Sequence, residues 1–432
     1  MRILSTTLCL EKAGSHVLAL SLASAMAELG HEMVLFNQGE QLVDTGMVRQ
    51  YLSAKVLMVG MDQYPLFNKL CWKVNALFSR LGIRVAFHEK CKTLLLLFTV
   101  LRHRIQLVHG HEVLVQNSRL VTLCRWLSVP VVITDHGGYS MLVKMGDWSF
   151  APFANLAKAV IAVSENAARL LHGTERVAHP EELRQLGARI LAADFRAESE
   201  NMQQARAGTS IPLTVPIVTI HNGVQNAPYD VIDRDARRAN LGIVSGSLVF
   251  GMIGRGTEQK GWRYAVTAFL RLKELEPTHP LILLCLGDGS VLQELRQQLS
   301  HLHPDIVFVG NVDDPHQYMP LCDVGLMPSC FSEGLPLSII EFYEHNIPVI
   351  ASELGGIPEI ITPVGEAPGC QLIAMEANAS PQVASLVQAM RTYVLSTGLR
   401  AEHSRGARQI RAKFDMRTCA VAYKFFFQQV LA

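Results

Sequence analysis

Short uninterrupted apolar runs alternate along this chain with stretches in which apolar residues recur at helical spacing. The runs predict buried strands, and the stretches between them predict helices that cover the sheet. Arg2 to Leu8 reads as a first strand. A tight turn at Ala13-Gly14-Ser15 follows, then a helix capped by Ser15 and ended by Gly30, then a second strand from Met33 to Phe36. Further strands are predicted at Ile105–Val108, Val131–Thr134, the run ending in Val163-Ser164-Glu165, and Ile217–Ile220. The pattern then repeats. Strands are predicted at Leu248–Ile253, Leu281–Leu286, Ile306–Phe308, Val324–Met327 and Val349–Ala351, with helices at Trp262–Glu276 and Val291–Leu299. Strands that alternate with helices make parallel sheets, so the fold class is α/β with two such units. Between them, Glu175 to Val215 is polar and rich in Ala and Arg, and reads as a helical insertion with a loop.

The stretch Pro328-Ser-Cys-Phe-Ser-Glu-Gly-Leu-Pro-Leu-Ser-Ile-Ile-Glu341 carries the most chemistry. It reads as a strand exit, a short loop and a helix that Pro336 opens at its first position. Unpaired N–H groups at such a helix end attract phosphate, and Gly334 lets a ligand approach the backbone. Glu341, one turn further, can accept hydrogen bonds from a sugar diol. The alternative is an ordinary capped helix with two solvated acids. His109-Gly-His111 and Asp135-His136-Gly-Gly138 place three histidines at the ends of two strands. The spacing of His109 and His111 allows a metal pair, but the sequence places no third ligand.

Glu333 and Glu341, with Glu-Gly-Leu-Pro-Leu between them, resemble the E-x7-E signature of family-4 retaining glycosyltransferases of the GT-B fold. Gly254-Arg255 with Lys260-Gly261, Gly287-Asp-Gly289, Gly355-Gly-Ile-Pro-Glu359 and His221-Asn-Gly-Val224 resemble further motifs of that family, in its order. The resemblance implies two Rossmann-like domains facing across a cleft. Residues 1–224 would form the acceptor domain, 225–410 the nucleotide-sugar domain, and 411–432 a helix returning to the first domain. Arg255 and Lys260 would hold the donor diphosphate, Gly14 would lie near it, and backbone at Gly334 and Leu335 would add helix-end N–H groups. Glu341 would hold the ribose and Glu333 the donor sugar. His111 would orient the acceptor or stabilise the reacting sugar, with His109 and His136 beside it.

The implied reaction moves a sugar, with retention, from a nucleotide-diphosphate sugar to a glycan, lipid-linked or small-molecule acceptor, as in polysaccharide biosynthesis. The nucleotide sugar is a co-substrate; no cofactor and no metal are expected. Two alternatives stay open: a nucleotide-sugar epimerase on the same fold, and a relative that binds a nucleotide sugar without transferring it.

Composition changes this picture in two places. The net charge of +1 gives no global case for nucleic acid, and the nine cysteines contain no C-x-x-C pair, which predicts reduced thiols in a cytoplasmic protein. Charge is one-sided only from Asn68 to Arg104. There Lys69, Lys73, Arg80, Arg84, Lys90, Lys92, Arg102 and Arg104 face one acid, Glu89, with Trp72, Phe78, Phe87 and Phe98 interleaved. That mixture suits an anionic membrane surface or an anionic acceptor, or else the solvated faces of two ordinary helices. The longest apolar run there, Leu94 to Leu101, is too short to span a bilayer, so any membrane association would be peripheral, at the inner face. Asp233-Arg-Asp235 mimics a metal-binding pair but sits in a charged helix start and reads as a solvated face.

Overall fold

The computed structural model describes residues 1–39, 43–83, 85–111, 119–174, 183, 185, 187, 213–225, 233–361 and 369–432. Nearly all of the expected insertion, together with Arg84, lies outside these residues. The first unit is a parallel sheet of β1 (Arg2–Thr7), β2 (Glu32–Asn37), β3 (Leu57–Gly60), β4 (Leu107–Gly110), β5 (Val131–Asp135), β6 (Ala159–Ala162) and β7 (Ile217–Thr219). Its spatial order is β3-β2-β1-β4-β5-β6-β7. The helices described with it are α1 (Gly14–Glu28), α2 (Thr45–Tyr51), α3 (Pro65–Arg80), α4 (Phe87–Arg102), α5 (Arg119–Trp126), α6 (Gly138–Lys144), α7 (Ala151–Ala154) and α8 (Glu165–Leu171).

The second sheet holds β8 (Leu248–Ile253), β9 (Leu281–Leu286), β10 (Ile306–Gly310), β11 (Val324–Met327), β12 (Val349–Ser352) and β13 (Cys370–Ile373), in the order β10-β9-β8-β11-β12-β13. With it go α9 (Arg234–Asn240), α10 (Trp262–Leu275), α11 (Ser290–Leu299), α12 (Leu337–Glu344), α13 (Ile357–Ile361), α14 (Val383–Leu395), α15 (Thr397–Arg411) and α16 (Met416–Leu431). Strand order reverses between β1 and β4 in one sheet and between β8 and β11 in the other. Doubly wound sheets bind ligands at the carboxyl ends of strands beside such a reversal. The loops after β1, β4, β8 and β11 carry most of the candidate residues, while His136 follows β5.

Each unit has an apolar cluster of its own, and a further one spans the two. The spanning cluster joins Leu18, Leu35 and Val132 of the first to Leu284, Ile339 and Val349 of the second. Helix α16 returns to pack on α1, and an isolated bridge joins Val224 to Asp415. This explains why α1, apolar on most sides, buries Leu18 to Ser24 without interruption: the sheet covers one face and α16 another.

Three local expectations need correction. Ala13 is the residue before α1 and makes no side-chain cap; Ser15 lies inside the first turn. Pro336 precedes α12 rather than occupying its first position, with its ψ of 119° still extended. Strand β4 runs Leu107–Gly110, two residues further than its apolar run, so His109 is a strand residue and not part of a loop.

Candidate active site

On the second sheet's side, Gly254 and Arg255 follow β8, and a single 3-10 turn, Glu258–Lys260, aims Lys260 toward β11. Gly261 has φ +76°, and a Cβ there would sit 1.8 Å from the Pro328 carbonyl oxygen, so only glycine lets these two loops close. As a result Lys260 Nζ lies 2.7 Å from Glu333 Oε1, and Ser329 Oγ donates to the same oxygen at 2.7 Å. Sequence reasoning gave Lys260 and Glu333 separate duties; the structure brings them together as a partly buried ion pair, with side chains 18% and 7% exposed. No acceptor among the described residues takes the N–H of Gly334 or Leu335. Both N–H groups lie in the segment before the Pro336 cap of α12, so they are not the helix-end N–H groups the resemblance implied but loop groups just ahead of that end.

Glu341 lies in the second turn of α12. Burial, helped by the nearby Asp314 charge, pushes its pKa up to about 7. Tyr51, from α2 of the other unit, feels burial first and then Glu341 and Asp314, which together raise its pKa. The Glu341 carboxylate therefore sits where both domains meet, with no hydrogen-bond partner among the described residues.

The facing wall is built of imidazoles. His111 Nδ1 is 3.0 Å from His136 Nε2, and the rings stack at 5.2 Å. Burial lowers the pKa of His136 to about 3 and that of His111 well below its ordinary value, with neighbouring histidines adding to the effect. Both are neutral at neutral pH. His111 Nε2 is buried and has no hydrogen-bond partner among the described residues. Asp135 holds the loop that carries His136. Its carboxylate accepts N–H bonds from Gly137, Tyr139 and Ser140 at 3.0, 2.9 and 3.2 Å. His109 lies directly behind His111, with the ring centroids 4.1 Å apart. Its Nε2 lies 2.7 Å from Thr134 Oγ1 and its ring packs against Tyr423 and Phe427 of α16, so it belongs to the core beneath the wall.

Gly14, at the start of α1, opens onto the same space: a Cβ there would meet only Leu337, at 3.6 Å. The space is a cavity of about 570 Å³ lined by Gly14, Tyr51, His111, His136, Arg255, Lys260, Glu333, Gly334, Leu335 and Glu341; His109 is not among its lining residues. Arg255 is close enough to His16 for its charge to help depress that histidine's pKa, behind the larger effect of burial. Among the described residues no group of three or more His, Cys, Asp or Glu side chains has metal-holding geometry. Asp233 instead caps α9, accepting the Ala236 N–H at 3.0 Å.

Several contacts hold the walls together, and sequence reasoning did not find them. Lys12 Nζ donates to the Val312 carbonyl at 3.1 Å and pairs with Asp313 at 3.2 Å. Asn222 Nδ2 donates to the Leu335 carbonyl at 3.0 Å. Glu359 accepts the N–H groups of Glu165 and Asn166 across the domains, both at 2.8 Å, and lies 2.9 Å from His221 Nε2. Burial works against its charge, but those hydrogen bonds hold its pKa below the usual carboxylate value. Gly355 and Gly356 wedge between Glu359's helix and the site loop: a Cβ on either would lie within 2.1 Å of the Glu333 or Gly334 carbonyl oxygen. The signals for these residues were present, as Gly-Gly-Ile-Pro-Glu and His-Asn-Gly-Val, but the hydrogen-bond partners of Asn222 and Glu359 lie more than a hundred residues away.

Residues 13–181 match a family model described as Glycosyltransferase Family 4, and residues 247–394 match one described as Glycosyl transferases group 1. An uncharacterized glycosyltransferase of Methanocaldococcus jannaschii is 36% identical over 125 residues, which is 28% of this chain and 30% of that protein. A putative glycosyltransferase of Bacillus subtilis is 32% identical over 28% of this chain and 31% of its own length, so these matches span under a third of either relative. The D-inositol 3-phosphate glycosyltransferase of Rhodococcus erythropolis is 25% identical over 80% of this chain and 72% of that protein. Among solved structures, a Rickettsia africae glycosyltransferase aligns over 100% of this chain and 98% of its own, with TM-score 0.65 and 17% identity. An Anabaena protein crystallised with UDP and glucose aligns over 99% of each chain, also with TM-score 0.65 and 17% identity. The fold is GT-B, and with a glycosyltransferase model matched in each half, in chain order, these findings support membership of the chain in a GT-B glycosyltransferase family.

Proposed function

We propose that the protein transfers a sugar, with retained configuration, from a nucleotide-diphosphate sugar to a hydroxyl of a glycan, lipid-linked or small-molecule acceptor. The observation that carries this reading is the convergence of Arg255, the Lys260–Glu333 pair, the free N–H groups of Gly334 and Leu335, and Glu341 on one cavity. Departure of the nucleoside diphosphate puts negative charge on the distal phosphate. Arg255 and Lys260 stabilise that charge in a cleft poor in water, where a fixed cation is worth far more than in bulk solvent. The reaction then needs no divalent metal. Glu341 takes the ribose diol, and Glu333, once Lys260 turns to phosphate, takes hydroxyls of the donor sugar. Neutral His111 offers its unpartnered Nε2 to the acceptor or to the sugar undergoing transfer. The Anabaena structures with UDP and UDP-glucose support a nucleotide-sugar donor. No helix among the described residues is long and apolar enough to cross a membrane; in this reading the protein works in the cytoplasm or peripherally at the inner face of the cell membrane.

The test is incubation of the purified protein with a panel of nucleotide sugars and acceptors, with release of nucleoside diphosphate as the readout and EDTA in a parallel set. Acceptor-dependent release that survives EDTA is expected. Release that stops with EDTA and returns with Mn²⁺ gives the leaving-group charge to a metal. Conversion of the donor without any acceptor makes the protein an epimerase, and binding without conversion makes it a sugar-nucleotide binding module.

A further inference from the structure

Helix α3 is amphipathic in the wrong sense for a helix in water. Its packing side is largely polar: Asn68 Oδ1 lies 2.9 Å from His88 Nε2, Asn75 Oδ1 accepts the Phe87 N–H at 2.9 Å, and Trp72 stacks on His88 at 4.5 Å, with one apolar contact where Phe78 meets Phe87 edge-on at 5.9 Å. Cys71 is its only buried residue. The solvent side carries Leu66, Leu70, Leu77 and, just past its end, Leu81, which are 85%, 56%, 53% and 63% exposed. At helical spacing these four fall within about 60° of arc, and Lys69, Lys73 and Arg80 line one border of the stripe. Helix α4 repeats the arrangement. Leu96, Thr99 and Val100 face the sheet, while Leu94, Phe98 and Leu101 are 62%, 61% and 58% exposed, with Lys90 and Arg102 at the ends of the stripe. Exposed apolar stripes on two adjoining helices mark a surface that is covered in use.

We infer that α3 and α4 form a docking surface for an anionic lipid bilayer. This deepens the reading above, and rests on it for the claim that the docked molecule is working on its substrate there. The charge decides the occupant. Lys69, Lys73, Arg80, Lys90, Arg102 and Arg104 are exposed around the stripes, and the single acid, Glu89, is already engaged by Lys92 and Arg119 at 2.7 and 3.5 Å. Leucine and phenylalanine at the level of the acyl chains, with lysine and arginine at the level of the phosphates, is the arrangement of a helix lying in a bilayer interface. The position fits the same partner. Helix α3 starts five residues after the end of β3, and Lys92 at the start of α4 donates to the Gln38 carbonyl just beyond β2. Both points lie at the carboxyl ends of strands, the end of the sheet on which the cleft opens. A molecule docked through this surface brings the acceptor side of the cleft to the headgroup layer, where the sugar-accepting end of a lipid-linked acceptor lies.

The test is flotation with phosphatidylcholine vesicles, with and without phosphatidylglycerol, at low and moderate salt. The wild type is expected to float only with phosphatidylglycerol, and less so as salt rises. The triple variant Lys69→Glu, Lys73→Glu, Arg80→Glu is expected to lose binding on the order of a hundredfold. The double variant Leu70→Asp, Leu77→Asp is expected to lose it as well; both substitutions are on the solvent face, and an unchanged melting temperature checks the fold. A wild type that never floats overturns the proposal, and so does a solution dimer that the double variant disperses, since a second copy then covers the stripe. Flotation without sugar transfer removes the functional reading and keeps the surface; transfer to a soluble acceptor without flotation does the reverse.

Discussion

The two walls of the cleft are made from the same parallel-sheet architecture but meet a ligand in opposite ways. The second domain's wall presents charge: Arg255 and the Lys260–Glu333 pair on its loops, with Glu341, whose pKa of about 7 leaves it partly protonated at neutral pH, on α12. The first domain's wall presents His111 and His136, which burial keeps neutral. A wall of fixed charge suits a diphosphate, which is charged throughout the reaction. A neutral wall suits an acceptor hydroxyl and a sugar that becomes positive only transiently. A second cation there would repel the developing charge.

The largest effect that sharpens this contrast is on turnover. Arg255→Ala and Lys260→Ala are each expected to lower nucleotide release by two to three orders of magnitude, about 3 to 4 kcal/mol of barrier, measured at saturating donor. An equal loss in His111→Ala would erase the distinction between the walls. Next in size is the cost of keeping Glu341 desolvated. Its folded pKa is about 7 against 4.5 for the ordinary group, so the folded state holds an extra proton between those values. That contribution is complete below pH 4.5 and lost as pH rises through 7. Glu341→Gln is therefore expected to stabilise the ligand-free protein by up to about 3 kcal/mol at pH 8, and by little at pH 4, in urea unfolding. The same variant is expected to weaken donor binding by calorimetry.

The neutral wall predicts the opposite slope. The folded pKa of His136 is about 3 against 6.5, so the unfolded chain binds the extra proton between those values and stability falls as pH drops through the window. At pH 5 this costs about 2 kcal/mol relative to pH 8, a drop that His136→Asn is expected to remove from the pH dependence of the urea midpoint. An unchanged slope would mean that the imidazole is charged and the wall is not neutral. The smallest expected effect belongs to the tie between the walls. Glu359→Ala removes two interdomain N–H acceptors and is expected to cost about 1 to 2 kcal/mol of stability and to widen the molecule in small-angle scattering. Ser164→Ala, which removes a cap of α8 from within its own domain, is expected to cost stability without widening it.

How far the sequence carries depends on what each residue pairs with. Leu248–Ile253, Leu281–Leu286 and Val324–Met327 are legible to the residue because a strand buried on both faces is one continuous apolar run. Strand β4 is not, because His109 and Gly110 continue it into the core. His109 is buried there only by finding Thr134 and the rings of α16. Strand β13, with Gln371 in a four-residue segment, has no run to mark it. In the site, Arg255, Lys260, Glu333 and Glu341 are legible as motifs in strand-to-helix loops. That Lys260 neutralises Glu333, that Tyr51 reaches Glu341, and that Asp135 holds the His136 loop are tertiary facts, made by chain segments whose local patterns do not mention one another.

The return of α16 to α1 bears on how the chain is made. During synthesis α1 leaves the ribosome long before α16, so the face of α1 that Met416–Leu431 covers stays bare until some four hundred further residues have been added. The first domain is thus completed last, after the second has had time to fold between its halves. An apolar helix face waiting that long is the part of the nascent chain most open to misassociation. Pulse proteolysis of ribosome-bound chains stalled before and after residue 416 would show the protection of α1 arriving in one late step.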